Sequence, residues 1–433
     1  MSTLAERIMR RQAEVVVVGA GYVGLPLAVE IARAGFPTTA LERDPEKVRA
    51  IAAGTSYVRD IPAADLAPLV GGGRLRATGD AAALARADVV IVCVPTPLNK
   101  TRDPDTSFIV SAADQIAAHL RPPQLVVLES TTFPGFTREI LVPRLAAGGR
   151  RLDTDFFVAF SPERTDPGNT RFAIRNTPKV IGASSAPSLA LASALYATFV
   201  DRVVPVGSTD AAEMVKLLEN TFRAVNIGLV NEVAMMCQRL GLDTWEIIEA
   251  AATKPFGFMP FYPGPGLGGH CIPVDPRYLS WKLKTLRYRT RFIELADEVN
   301  SEMPAFVVMR VADALNDRRQ AVNGSRILVA GVAYKRDVDD VRESPAFEII
   351  TLLRARGATV DFTDPHVGQI DLEGTTLARV SPARAGDYDC VVIVTDHGAM
   401  DYAALVDAAR LVVDCRNVTG GLRARHPGRI VPL

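Results

Sequence analysis

The sequence predicts an α/β fold of two doubly wound domains joined by a helical central domain. Three observations carry this. Short β-branched runs alternate with helical stretches over residues 1–206. A helical middle follows over residues 207–316. The alternation then resumes over residues 317–433 with the same landmarks in the same order.

Residues 14–18 are an apolar, β-branched run suited to a strand buried on both faces. Residues 25–34 read as a helix that Gly35 closes, and residues 37–41 return as a strand. Residues 88–94 and 124–129 are two further buried strands. Residues 211–240 hold no proline and one glycine, Gly228, and read as a long helix, whole or broken. Residues 244–252 form another helix, and residues 256–276 a loop rich in glycine and proline. Residues 278–316 are helical, with Pro304 as the expected interruption. Strands are expected at 326–332, 359–362, 389–394 and 411–414, with a helix at 346–356 ended by Gly357.

The two ends echo each other. Val15-Val-Val-Val-Gly-Ala-Gly-Tyr22 has its counterpart in Ile327-Leu-Val-Ala-Gly-Val-Ala-Tyr334. Leu41-Glu-Arg-Asp-Pro45 parallels Phe362-Thr-Asp-Pro365, and the run from Asp88 parallels the run from Asp389. Two related α/β domains are the expectation.

Composition removes several function classes. Lys+Arg and Asp+Glu number 49 each, so no basic field for nucleic acid exists, and no nucleic-acid partner is expected. No apolar run approaches the ~20 residues of a membrane span. Residues 1–12 lack the apolar core of a signal peptide and read as a short helical lead-in, so cytoplasmic location is the expectation. The five cysteines and five histidines are dispersed, without metal-ligand spacing, and no metal is expected.

Gly19-Ala-Gly21-Tyr-Val-Gly24 follows a strand and opens a helix, the context of a Rossmann-like dinucleotide turn. Its glycines serve the tight turn, the approach of a pyrophosphate and close helix–strand packing. Glu42 ends the next strand, where a carboxylate accepts hydrogen bonds from ribose and repels a 2′-phosphate. NAD is therefore favoured, although Arg43 is a residue type that suits NADP. The equivalent second turn keeps one glycine and adds Lys335 and Arg336, which suits a different anion such as a nucleotide diphosphate.

The loop Tyr262-Pro-Gly-Pro-Gly-Leu-Gly-Gly-His-Cys-Ile-Pro-Val-Asp-Pro276 is built for shape. Cys93, Cys237, Cys390 and Cys415 lie on strands, a strand end or a helix and read as small hydrophobes. Cys271, in the Gly-rich loop, reads as a reactive thiol. His270 reads as a general base or as a shape or substrate contact.

These residues resemble the UDP-glucose/GDP-mannose dehydrogenase family of nucleotide-sugar dehydrogenases. The likeness runs from Val15 to about Asn417 and rests on ordered motifs. They are the glycine turn, Val94-Pro-Thr-Pro97, Ser130-Thr-Thr-Phe-Pro-Gly135, Ser161-Pro-Glu-Arg164, Lys216-Leu-Leu-Glu-Asn220, Gly268-Gly-His-Cys-Ile-Pro-Val-Asp275 and Val341-Arg-Glu-Ser-Pro345. His270 and Val274 stand where glucose-type members usually have Ser and Lys, so the likeness is to the branch acting on UDP-N-acetylhexosamines. It implies UDP-N-acetylglucosamine as substrate, with UDP-N-acetylmannosamine as the near alternative, and a product used for O-antigen or other surface polysaccharide, including lipopolysaccharide.

The resemblance implies a double oxidation at C6 through a thiohemiacetal and a thioester on Cys271. By motif match, Lys216 and Asn220 stabilise an oxyanion, Asp275 orders or activates water, Glu163 serves thioester hydrolysis, and Thr131 holds water and cofactor. Cofactor contacts are implied for Gly19, Gly21, Tyr22, Val23, Gly24, Glu42, Lys47, Thr96, Thr131 and Arg342. Substrate contacts are implied for Glu163, Arg164, Lys216, Asn220, Arg223, Tyr262, Gly264, Gly268, His270, Tyr334 and Lys335, with Arg223 reaching a neighbouring subunit in a homodimer or higher homo-oligomer. A single-step β-hydroxyacid dehydrogenase and an NAD-sensing scaffold are the rival readings. The first predicts one NADH per substrate, the second no turnover.

Overall fold

The computed structural model describes residues 3–58, 60–99, 101, 103–166, 169, 171–269 and 271–433. In chain order the first elements are α1 (Leu4–Met9), β1 (Val15–Val18), α2 (Gly24–Arg33), β2 (Thr38–Leu41), α3 (Pro45–Ala52), α4 (Ala63–Gly71), β3 (Leu75–Thr78) and β4 (Val89–Val92). Then come α5 (Ser107–His119), β5 (Gln124–Leu128), α6 (Val142–Leu145), β6 (Phe156–Phe160), β7 (Lys179–Ala183), α7 (Ala186–Tyr196) and β8 (Val203–Pro205). The helical middle is α8 (Thr209–Leu240), α9 (Thr244–Ala252), α10 (Asp275–Thr285) and α11 (Arg291–Asn316). The last part is β9 (Arg326–Ala330), α12 (Pro345–Ala355), β10 (Thr359–Thr363), β11 (Gln369–Leu372), β12 (Thr375–Ala378), β13 (Cys390–Ile393), α13 (Tyr402–Ala408), β14 (Val412–Asp414) and β15 (Ile430–Pro432).

Two compact units result: Met1–Glu219 with Arg277–Tyr288, and Asn220–Pro276 with Arg289–Leu433. In the first, the strands run β3-β2-β1-β4-β5-β6-β7-β8. The pairings from β3 to β6 are parallel, and β7 pairs antiparallel to β6. The sheet is thus mixed at one edge rather than parallel throughout. In the second, β10-β9-β13-β14-β15 are all parallel. The all-apolar strands β1, β4 and β13 are buried along their whole length, as the β-branched runs require.

The sequence echoes fall on equivalent strands. β1 lies between β2 and β4, and β9 lies between β10 and β13. The aspartates of the third echo do the same work: Asp88 Oδ2 accepts from Glu14 N–H at 3.0 Å, and Asp389 Oδ2 from Arg326 N–H at 2.9 Å. Each pins the start of the central strand.

α8 runs through Gly228 unbroken, and a Cβ there would meet Ala296 Cα of α11 at 3.1 Å, so the glycine serves close helix packing. Pro304 does not interrupt the next helical stretch. It lies buried inside α11 among Met303, Phe306 and Val307, whose burial offsets the lost backbone bond. The break falls earlier, after α10, where Arg287 adopts φ +58°. There Tyr288 N–H donates to Leu283 O and Arg287 N–H to Lys284 O, a Schellman ending with arginine in the usual glycine place. Among the described residues no helix is long and apolar enough to cross a membrane.

Candidate active site

The first unit carries the glycine turn. Gly19 has φ +89°, and a Cβ there would lie 2.7 Å from Cys93 O. A Cβ on Gly24 would lie 1.8 Å from Gly19 O, so the start of α2 can pack here only as glycine. Gly21 is different: nothing lies within 4 Å of a Cβ built on it. Two glycines therefore satisfy the chain, and the third leaves open space of the kind a pyrophosphate fills. The N-cap residue of α2, Val23, provides no side-chain cap, which leaves amide donors for an anion. Tyr22 is exposed beside the turn.

Glu42 follows β2 and is buried. Its Oε2 accepts from Ala20 N–H at 2.9 Å and its Oε1 from Asp44 N–H at 3.1 Å. The carboxylate braces the turn and still has acceptor capacity on both oxygens for ribose hydroxyls. Lys47 lies over the Tyr57 ring, and the Tyr57 hydroxyl donates to Ala20 O. After β4 and β5, Ser130 Oγ donates to Val94 O at 2.9 Å, which ties together the loops that carry Thr96 and Thr131. This donor set fits NAD.

Beyond the same strand ends lies a buried charge cluster. Glu163 Oε1 accepts from Thr165 N–H, and Glu163 O accepts from Lys216 Nζ at 2.7 Å. Lys179 Nζ stands 3.7 Å from Glu163 Oε2 and 2.7 Å from Glu129 Oε2. Burial pushes the Glu163 carboxyl upward, but Lys179, the Thr165 hydrogen bonds and Lys216 outweigh it and hold the group below its ordinary value. Arg164 turns to Glu219 Oε1 at 2.7 Å and Pro178 O at 2.6 Å, so its guanidinium anchors this loop.

In the second unit the residues around Cys271 converge. Cys271 O accepts from Asp275 N–H at 2.8 Å and Val274 N–H at 3.2 Å, so the cysteine heads the turn that enters α10. Asp275 is 1% exposed and accepts from Asn220 Nδ2 at 2.6 Å. Two residues 55 apart in sequence thus form one buried pair beside the cysteine turn. Gly269 N–H donates to Arg342 O at 3.2 Å, while a Cβ on Gly268 would lie 2.8 Å from Tyr334 Cβ. The loop glycines therefore pack directly on the second phosphate-type turn. Tyr262 stacks on Trp245 at 5.9 Å. Gly264 N–H donates to Asn231 Oδ1 at 3.0 Å. Lys335 is half-buried beside Tyr334, and Arg223 is exposed on α8. Arg342 is exposed and pairs with Asp340 Oδ2 at 2.6 Å. His270 lies outside the described residues.

The second sheet differs from the first where Glu42 has its counterpart. Asp364 accepts from the N–H groups of Val332 (2.8 Å), Ala333 (3.3 Å), His366 (2.8 Å) and Val367 (3.1 Å), and meets His397 Nε2 at 3.0 Å. Saturated and buried, it has nothing left for a ribose. Asp337, His366 and His397 bring ligand-type atoms within 4.8 Å of one another. Yet His397 Nδ1 already accepts from Asp337 N–H, so it has no lone pair for a metal.

Sequence reasoning passed over four residues. Glu129 carries no sequence expectation beyond closing a strand, and Lys179 none, although a lysine opening an apolar strand next to a site motif is a signal. Arg416 is half-buried and a Cβ on Gly264 would meet its Nη1 at 2.7 Å; only the fold brings these together. Glu213 is buried and accepts from Gly135 N–H at 2.6 Å and Thr137 N–H at 2.9 Å, holding the loop after Thr131.

Comparison with known proteins agrees with this geometry. Residues 13–200 match the NAD binding domain of the UDP-glucose/GDP-mannose dehydrogenase family, 210–302 its central domain and 328–421 its UDP binding domain. A UDP-N-acetyl-D-glucosamine 6-dehydrogenase of Pseudomonas aeruginosa is 34% identical over 89% of this chain and 91% of its own. A UDP-N-acetyl-D-mannosamine dehydrogenase of Methanococcus maripaludis is 32% identical over 89% and 86%. The solved UDP-D-ManNAc dehydrogenase of Pyrococcus horikoshii superposes with a TM-score of 0.86 at 32% identity, covering 93% of this chain and 95% of that one. With a glycine turn fitted to NAD in one unit and a differently built second turn in the other, the chain belongs to the UDP-glucose/GDP-mannose dehydrogenase family and is an NAD-dependent UDP-sugar dehydrogenase.

Proposed function

We propose that this enzyme oxidises the C6 alcohol of UDP-N-acetylglucosamine to the uronic acid through a covalent bond to Cys271. The observation that carries the reading is exposure: of the five cysteines, Cys271 alone is not buried. Burial raises the thiols of Cys93, Cys390 and Cys415, which suits inert packing residues. Cys271 instead heads a helix, whose positive end favours a thiolate.

NAD bound at the Gly19–Gly24 turn would supply the hydride acceptor, one NAD for the first oxidation and a second NAD for the next. The first yields an aldehyde at C6. The Cys271 thiolate adds to it, and the Lys216 ammonium and Asn220 amide stabilise the oxyanion of the thiohemiacetal. The second oxidation leaves a thioester. Water attacks its carbon, Glu163 takes the proton, the C–S bond breaks and the thiolate returns to Cys271. Asp275, held by Asn220, orders water. On the substrate side, Lys335 and Tyr334 hold the nucleotide, and half-buried Arg416 behind Gly264 joins them.

The near alternative is UDP-N-acetylmannosamine, which is favoured by the likeness to dehydrogenases named for that sugar. The division into a cofactor domain (1–206), a helical domain with the cysteine loop (207–316) and a nucleotide-sugar domain (317–433) belongs to the same reading. So does a cytoplasmic homodimer or higher homo-oligomer, supplying an acidic sugar for lipopolysaccharide or another surface polysaccharide. The exposed Met214, Leu218, Phe222, Leu229, Met236 and Leu240 along α8 support self-association.

The test is purified enzyme with NAD and a panel of UDP-sugars, counting NADH per sugar consumed. Two NADH with an N-acetylhexosamine are expected; one would favour a single-step dehydrogenase. Glu163→Gln is expected to accumulate a covalent sugar adduct by intact-protein mass spectrometry.

A further inference from the structure

Lys179 opens the otherwise apolar strand β7, yet its side chain is only 7% exposed. Removing an ammonium group from water is costly unless carboxylates replace the water. Two do. Glu129, at the end of β5, is fully buried and lies 2.7 Å away; its other oxygen accepts from the Tyr196 hydroxyl of α7. The Tyr196 ring also faces the Lys179 ammonium at 5.5 Å. Glu129 alone would suffice to neutralise the lysine. The Glu163 carboxylate nevertheless stands 3.7 Å off.

We infer that Lys179 is a positioning residue for Glu163, its ammonium group anchored on Glu129 and Tyr196 so that it holds the Glu163 carboxylate charged and oriented to take a proton from water. The inference rests on the proposed role of Glu163 in thioester hydrolysis. In that step an O–C bond forms from water, the water proton passes to Glu163, and the C–S bond to Cys271 breaks. The proton then leaves Glu163 for solvent.

Among the described residues, the groups that face Glu163 are Cys93 after β4, Glu129 after β5, Lys179 on β7, Tyr196 on α7, Lys216 on α8 and Thr165 in its own loop. Lys179 and Lys216 favour its charged form, and Glu129 opposes it. Lys216 Nζ donates to the Glu163 backbone carbonyl, and Lys179 Nζ stands 3.7 Å from the carboxylate itself. The two carboxylates are pushed apart: burial raises Glu129, while at Glu163 burial is outweighed by Lys179, the Thr165 hydrogen bonds and Lys216, which carry it below its ordinary value.

The experiment uses full-length enzyme with NAD and whichever UDP-N-acetylhexosamine it turns over. Lys179→Met is expected to move the acid limb of kcat up by about one pH unit, a roughly tenfold loss on that limb. It should also accumulate the thioester adduct in rapid-quench mass spectrometry, with KM for NAD unchanged. Lys179→Arg should restore the limb. Glu129→Gln removes the opposing charge and should move the limb down, a sign that no general loss of packing produces, and it serves if Lys179→Met fails to fold. Slowed turnover with an unmoved limb and no adduct in Lys179→Met would overturn the inference, as would an unmoved or raised limb in Glu129→Gln. Glu163→Gln is measured alongside. An adduct there without one in Lys179→Met removes the inference alone; no adduct in Glu163→Gln removes the hydrolytic role and the inference together.

Discussion

Replacing Asp364 with Asn removes one charge and one acceptor oxygen from the most heavily hydrogen-bonded acid described above. Its carboxyl is lowered from 3.8 to about 2: burial pushes it up, but His397 and the amides of Val332 and His366 outweigh that. A shift of that size corresponds to about 2 kcal/mol of stabilisation at neutral pH. Asn also turns an NH2 toward amide donors, and each buried N–H left unpaired costs roughly 1–3 kcal/mol. A loss of about 2–4 kcal/mol is therefore expected at pH 7. Because the folded-state value is lowered, the charge contribution is present above the ordinary 3.8 and is lost as pH falls through about 2. The difference between wild type and Asp364→Asn should shrink on acidification. Urea unfolding at neutral and acid pH measures it, and hydrogen exchange over β9 and β10 locates it. KM for the UDP-sugar should rise as well, since Asp364 holds the turn that leads into Tyr334 and Lys335. A difference below about 0.5 kcal/mol at neutral pH, or one indifferent to acid, would refute the reasoning.

The glycine turn offers a paired test. Gly24→Ala drives its Cβ into Gly19 O and should lower stability by roughly 1–3 kcal/mol. Gly21→Ala should leave thermal unfolding unchanged and weaken NAD about tenfold, about 1.4 kcal/mol by titration, because its Cβ meets ligand rather than chain. Equal thermal shifts in the two variants would contradict this division of labour. Cys271→Ala should abolish acid formation with NAD affinity intact; residual acid detected by chromatography would end the covalent reading. Gly268→Ala must displace Tyr334 or the loop, so kcat should fall about tenfold without a change in NAD affinity. Wild-type turnover in that variant would mean that the loop tolerates the shift.

The sequence by itself determined the features whose causes are local. The Gly19–Gly24 turn was legible because strand, turn and helix are consecutive in the chain. The echo of the two sheets was legible because each repeat carries its own strand run and its own pinning aspartate, Asp88 or Asp389. Cys271 stood out because loop context separates it from cysteines on apolar strands. Where local signals are weak, sequence and structure differ: the end of α10 carries arginine rather than glycine, and Pro304, a breaker by residue type, is buried inside α11. Only the tertiary structure decided what charged residues do. Glu129, Glu163 and Lys179 are far apart in sequence and meet because the sheet order sets the ends of β5 and β6 beside the start of β7. Asn220 reaches Asp275, and Arg416 reaches Gly264, only after the chain folds back. A charge in a sequence reads as surface, since water is its cheapest partner. It becomes part of a site only when folding replaces that water with an opposite charge or a hydrogen bond.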